Sequence, residues 1–345
     1  MSSWVHMSTA MFLLWAHPQM VLISSTSVKM PAAGSNCVTG DLRSVLVVTT
    51  SRPGGECSSG AVSDIIAQSE TLKTRVRQQA GFRPGSGVVG EVSGTENWDE
   101  IARRRIEIRA RGGTSREVEW DGENPEDLFV ELVRDCAADA GRVLDVGCGE
   151  GSISRELAGI AKGVVGLDIS RVALEEAARV SPEDNLCFVR AEARRLPFTN
   201  GVFDLICSRR GPGSESVQTL SEIGRAMRPG AMLVALIVGE SHRIETQEIF
   251  GRGLNWPPVK PVRFAIPERL QAAGLELVSF AEYYGSSYYP DIDAYAAALG
   301  CTSLIPDFDP EKDARFLREV ERKLASDRGI RDTEHAAVVA GRRAD

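Results

Sequence analysis

Between Arg142 and Ser152 an apolar run enters a turn with glycine at every other position, and helical spacing follows at once. Val143, Leu144 and Val146 make the short apolar stretch expected of a strand covered on both faces. Ile153, Leu157 and Ala158 then recur at helical spacing. Gly147, Gly149 and Gly151 can take positive φ and present bare main chain, so a ligand can approach the turn without meeting a Cβ. The glycines do not follow the G-x-G-x-x-G order of a nicotinamide fingerprint, and an acid, Asp145, lies inside the strand. A chain with this strand, turn and helix is constrained to an α/β architecture with a ligand at the turn.

The segments downstream repeat the same grammar. Gly163–Ser170 is an apolar strand ending in Asp168, with Asp168 or Ser170 available to cap a helix over Arg171–Val180. Leu186–Phe198 holds a third strand followed by Glu192 and Ala193, Gly201–Ser208 a fourth, and Ala226–Ile237 a helix end, a turn and a fifth. Over about residues 142–237 this order resembles class I S-adenosylmethionine-dependent methyltransferases of the type 11-like group. The resemblance implies a Rossmann-like seven-stranded sheet with helices on both faces and a helical insertion before the last strand.

It also implies S-adenosylmethionine as cofactor, held by Asp145, Gly147, Gly149 and Gly151 at the loop. Asp168 and Ile169 would meet the ribose, Glu192 and Ala193 the adenine, and Ser208 and Arg209 the end of the fourth strand. The family usually has Asp where this chain has Glu192. After the fourth strand the chain reads Ser208-Arg209-Arg210-Gly211-Pro212, without the N/D-P-P-Y/F/W sequence of adenine and glutamine N-methyltransferases. That departure argues against their exocyclic-amino chemistry.

Composition narrows the partners. A net charge of −8 offers no global basic field for counterion release, which disfavours DNA. The seven cysteines form no C-x-x-C pair and the four histidines are scattered, so the expectation is free thiols in a reducing compartment and no metal. The apolar runs Ala10–Ala16 and Met20–Ile23 are interrupted by His17-Pro18-Gln19, and no Lys or Arg precedes Lys29. Neither a spanning helix nor a secretory signal fits, so the expected place is the cytoplasm, away from membranes.

Residues 1–94 are rich in Gly, Ser, Thr and Val and read as a disordered leader or a start assigned too far upstream. Residues 95–345 read as the methyltransferase-like domain: 95–140 a helical cover, 141–240 the cofactor-binding core, 241–345 a substrate-side region with the insertion. The cover helix carries Arg103, Arg104, Arg105, Arg109 and Arg111, the pattern of a solvated face, with a substrate-binding strip as the alternative. Trp98 and Trp120 serve either the core or a pocket wall.

All five tyrosines lie between Tyr283 and Tyr295, a recognition surface or an anchor for the insertion. His242 follows the fifth strand and is the candidate general base; Arg209 and Arg210 are candidates for the cofactor carboxylate and for an anionic group on the acceptor.

The expected activity is in-line methyl transfer to a small metabolite carrying negative charge. RNA is the second acceptor class, because the chain from the fourth strand to Gly251 distantly resembles ribosomal-RNA guanine-N1 methyltransferases, though their cysteine zinc module is absent. A non-catalytic cofactor-binding interaction protein is the third reading. If residues 1–94 add no core, a chain starting at Thr95 keeps its melting temperature within a few degrees of the full chain by differential scanning fluorimetry. A loss of ten degrees would show a structural element there.

Overall fold

The computed structural model describes residues 47–49 and 95–344, apart from 182 and 184. After strand β1 (Val47–Thr49) come α1 (Thr95–Ala110), β2 (Glu117–Trp120) and α2 (Pro125–Ala138). The glycine-loop unit is β3 (Val143–Val146) and α3 (Ser152–Ala158), followed by β4 (Val164–Asp168), α4 (Arg171–Arg179), β5 (Leu186–Arg190) and β6 (Phe203–Arg209). Then follow α5 (Val217–Ala226), β7 (Met227–Val238), α6 (Ile244–Phe250), α7 (Val262–Ala272) and β8 (Leu275–Tyr289). The insertion holds α8 (Ile292–Gly300) and α9 (Ala314–Leu324), and β9 (Ala325–Ser326) and β10 (Gly329–Arg343) close the chain.

One sheet contains these strands, in the order β1-β5-β4-β3-β6-β7-β10-β8-β2, with β9 paired to β10. The seven expected strands run from β5 to β8, and β3, β4, β5, β6 and β7 are mutually parallel. The order reverses at β3, between β4 and β6, which is where open α/β sheets bind ligands at the carboxyl edge. Val47–Thr49, within the stretch read as a leader, pairs antiparallel with β5. The rest of 1–94 lies outside the described residues, as do both apolar runs of the leader. No helix among the described residues is long and apolar enough to cross a membrane.

The alternation of β3 explains the two-sided core. Leu144 and Val146 pack into one apolar cluster with Ile206, Leu233 and Val339, whereas Val143 packs into the other with Phe129, Leu157 and Phe188. α2 starts where its residues dictate: Asn124 caps by accepting from the Glu126 N–H at 3.0 Å, with Pro125 at the first position and Glu126 and Asp127 in the first turn. Ser170, not Asp168, is the N-cap of α4, accepting from the Ala173 N–H at 3.2 Å.

Two strand boundaries differ from what the sequence suggests: the apolar runs Leu275–Phe280 and His335–Gly341, read as the sixth and last strands, are only parts of β8, which goes on through the tyrosines to Tyr289, and of β10, which begins at Gly329, so the two pair along nearly their whole length. The run Tyr283-Tyr284-Gly285-Ser286-Ser287-Tyr288-Tyr289 shows no apolar alternation, which obscured that part of β8. Trp120 belongs to β2, paired with β8, and it half-buries against the core, while Trp98 is exposed on α1.

Phe188 fills a space that two glycines leave open. A Cβ on Gly166 would sit 2.6 Å from its ring, and one on Gly151 2.8 Å. Gly166→Ala should therefore destabilise the fold by about 1–3 kcal/mol in urea unfolding, the usual cost of overpacking a filled core. A change under about 0.5 kcal/mol would show that the ring moves aside freely.

Candidate functional site

The carboxyl ends of β3 to β7 gather most of the expected residues. Gly147, Gly149 and Gly151 all take positive φ, at 75°, 53° and 75°. A Cβ on Gly147 would meet Pro212 at 2.6 Å, so this glycine allows the loop to touch the turn after β6, while a Cβ on Gly149 would project into open space. Asp168 joins the loop to the end of β4: its Oδ2 accepts from the Gly149 N–H and its Oδ1 from the Ser170 N–H, both at 2.8 Å. Burial pushes the Asp168 carboxyl up, opposed by the N–H groups of Ser170 and Gly149. Ser170 Oγ in turn donates to Asp99 of α1 at 2.7 Å.

The other expected residues also have partners within the fold. Asp145 is buried and accepts from Ser154 Oγ at 2.7 Å, and burial pushes its carboxyl up to about 6. Ser208 is buried, donating to the Val146 carbonyl at 2.8 Å and accepting from the Gly213 N–H at 3.2 Å. The Ile169 carbonyl accepts from Arg190 Nε at 2.9 Å. Glu192 is half-buried beside buried Ala193 and bonded to Arg194. Arg209 donates to Ser152 Oγ at 2.6 Å, across the loop. Arg210, at φ 53°, forms an ion pair with Glu126 of α2 at 2.6 Å, so its charge already has an anionic partner within the chain.

His242 is buried after β7 with Nδ1 3.3 Å from Glu334 Oε2. Burial outweighs the carboxylate and pushes the imidazole down to about 4, leaving it neutral at physiological pH. Glu334 is fully buried on β10; burial alone would raise its carboxyl, but His242, Arg243 and Arg116 hold it well below the usual range. With His242 neutral, the guanidiniums 3.7 and 3.5 Å away keep it ionised. Sequence reasoning missed Glu334, Arg116 and Arg243. An acid inside the apolar last strand was the available signal.

The tyrosines divide among different roles. Tyr289 and Tyr295 are fully buried in a third apolar cluster with Phe250, Leu299 and Val320, and their hydroxyls bond Arg243, Thr246 and Asp332. Tyr284 stacks on His335 with ring centroids 4.2 Å apart, and Tyr288 lies under Arg328 at 3.7 Å. Tyr283 half-buries on the sheet. They anchor the insertion and the long strands rather than forming one surface.

Residues far apart in sequence also converge: one potential ligand atom each from Glu240, Glu282 and His335 lies within 4.8 Å of the others. The Ser241 N–H donates to His335 Nδ1 at 3.1 Å, which leaves the proton on Nε2, facing Glu282 Oε1 at 3.3 Å. In that tautomer the imidazole offers the group no free lone pair for a metal.

Residues 143–230 match the methyltransferase domain family. This segment is a methyltransferase domain. Over 95 residues the chain is 41% identical to a demethylmenaquinone methyltransferase of Beutenbergia cavernae, covering 27% of this chain and 39% of that one. Over 94 residues it is 37% identical to a malonyl-[acyl-carrier protein] O-methyltransferase of Enterobacter lignolyticus, covering 27% and 37%. The chain thus spans about two-fifths of the length of these curated relatives. Among solved structures, the [4+2]-cyclase SpnF superposes with a TM-score of 0.50 at 18% identity, covering 75% of this chain and 99% of that one, a likeness of fold. The methyltransferase domain accounts for β3 to the start of β7; the arginine and tyrosine clusters lie outside the matched segment.

The buried histidine gives a signed pH effect. The unfolded chain takes up a proton at His242 near the ordinary value of 6.5 and the fold does not until about 4, so this group costs stability as pH falls between those values. Asp145 and Asp332, pushed up to about 6 and about 7, act oppositely, gaining stability as pH falls through their raised values. A comparison with His242→Gln isolates the histidine. The wild type should lose about 2–3 kcal/mol more than the variant between pH 7 and pH 4 in denaturant titrations. Parallel curves would show that His242 protonates freely in the fold.

Proposed function

We propose that the protein transfers a methyl group from S-adenosylmethionine to a small-molecule acceptor. The observation that carries this reading is the loop Gly147–Gly151 latched to Asp168 at the switch point of the sheet, with a Cβ-free opening at Gly149. The residues fit the cofactor. Asp168 is partly exposed, and each of its oxygens has a further lone pair for a ribose hydroxyl beside the N–H bond it already accepts. Glu192 stands at the end of β5, the adenine side, and Arg209 lies across the loop, where its guanidinium suits the cofactor carboxylate. Bound here, the cofactor supplies a methyl on a sulfonium that is already a good leaving group.

The protein's part is then alignment, which can supply roughly 7–11 kcal/mol in favourable cases. His242, pushed down to about 4, is a weak base at neutral pH and is held by Glu334. It suits an acceptor atom that arrives ionised or gives up its proton easily, and does not suit a simple alcohol. Arg210, paired with Glu126, positions α2 against the end of β6. The relatives' names support an acceptor that is a small molecule or is carried as one: demethylmenaquinone in one case, a malonyl group on a carrier protein in the other. A net charge of −8 weighs against RNA.

Asp168→Ala removes the proposed ribose contact, and a lost hydrogen bond to a charged group is worth about 1.5–3 kcal/mol. Calorimetry with S-adenosylmethionine should show affinity falling more than tenfold in a variant that retains its circular dichroism. Unchanged affinity would overturn the assignment, and tight NAD binding by the wild type would point to a different nucleotide.

A further inference from the structure

A cleft of about 320 Å³ opens beside the loop, walled by α1, by the end of α8 and by the segment before β2. Four arginines line it, Arg105, Arg109, Arg116 and Arg243, and no acid is among the lining residues. Two carboxylates pair with three of the four guanidiniums: Glu150 with Arg109, and Glu334 with Arg116 at 3.5 Å and with Arg243 at 3.7 Å. Arg105 has only a carbonyl, donating from Nε to Cys301 O at 2.6 Å, with the Asp168 charge farther off. The cleft therefore carries positive charge in excess of what its own acids neutralise.

The second observation is Arg243. It is buried to 2% exposure, and its Nε and Nη1 have no hydrogen-bond partner; only Nη2 is used, toward the Tyr289 hydroxyl. A guanidinium withdrawn from water with two nitrogens unmet is costly to keep, and that cost falls when an anion shares its field in a low-dielectric wall. Glu334 cannot serve Arg243 alone, because Arg116 and His242 draw on the same carboxylate. Arg116 has room to turn toward a ligand, since a third of its side chain is exposed and its carboxylate partner is shared; Arg109 is more exposed but is held by Glu150 of the loop.

We propose that this cleft binds the methyl acceptor by an oxyanion, a carboxylate or phosphate, gripped by Arg116 and Arg105 over the buried charge of Arg243. The proposal rests on the reading that the loop beside it holds S-adenosylmethionine. Arg109, bonded to Glu150 of that loop, and Arg105, within the field of Asp168, place the cleft against the cofactor end of the site. Planar guanidiniums match both oxyanions bidentately, and 320 Å³ suits a small molecule. An ionised acceptor also agrees with a histidine too weak to generate one. Of the two arginines that follow the fourth strand, Arg210 is paired with Glu126 and Arg209, bonded to Ser152 of the loop, is assigned to the cofactor carboxylate.

The test is calorimetry on the full chain saturated with S-adenosylhomocysteine, titrating inorganic phosphate in one series and succinate in another. At least one should bind with a millimolar or tighter constant that weakens as sodium chloride rises. Arg116→Gln should weaken that binding tenfold or more, Arg116→Lys less, and Arg105→Gln at least fivefold, with S-adenosylhomocysteine affinity changed less than twofold in each. Preference for phosphate or succinate assigns the oxyanion. The proposal is overturned if neither anion binds, if Arg116→Gln binds as the wild type does, or if the anion and S-adenosylhomocysteine exclude each other, which would make the arginines a cofactor-carboxylate site. Failure of the wild type to bind S-adenosylhomocysteine would instead remove the methyl-transfer reading, and the acceptor assignment with it.

Discussion

The Asp168 carboxylate holds the site together. With one oxygen on the Gly149 N–H and the other on the Ser170 N–H, it fixes the glycine loop, the end of β4 and the start of α4 in one geometry. Hydrogen bonds to a charged acceptor are the stronger kind, and here they bridge two βα units that the sheet alone would leave joined only through backbone pairing. The constraint propagates outward. Ser170 caps α4 and bonds Asp99, whose Oδ1 also accepts from the Val172 N–H at 3.2 Å, so α1 is pinned to the same point. Because α1 carries Arg105 and Arg109, the latch also sets where the arginine-lined cleft lies.

A second constraint is the antiparallel pair β8 and β10. Their long register brings Glu334 under Arg116, Arg243 and His242, and sets His335 between Glu240 and Glu282. Buried polar groups in such a strand are tolerated only when shared among partners, since each unmet one costs about 1–3 kcal/mol. Asp332, pushed up to about 7 by burial, is met by the hydroxyls of Thr246 and Tyr295. The insertion is thereby tied to the sheet by polar contacts as well as by the apolar cluster around Tyr289 and Tyr295.

The elements around the glycine loop were legible because their signals are local. Alternating glycines, an acid at the end of an apolar run and a capping serine all act within a few residues, and β3, α3, β4 and α4 formed where they were expected. Asp145 shows the limit of a motif: it sits in the expected strand, yet its side chain is buried on Ser154. What the sequence could not convey depends on register between distant segments. Arg210 meets Glu126 across 84 positions, and His242 meets Glu334 only because β10 begins at Gly329. The tyrosines looked like one patch because they are close in sequence, but four lie on β8, which sends alternate side chains to opposite faces, and Tyr295 lies on α8, so they divide between core and surface.

A co-crystal structure with S-adenosylhomocysteine tests the central claim most directly. The ribose hydroxyls should lie on the Asp168 carboxylate, the adenine beside Glu192 and Ala193, and the sulfur facing the arginine-lined cleft over the end of β6. Density for the ligand elsewhere, or a loop in which Gly149 turns away from Asp168 and the ribose finds other partners, would contradict it.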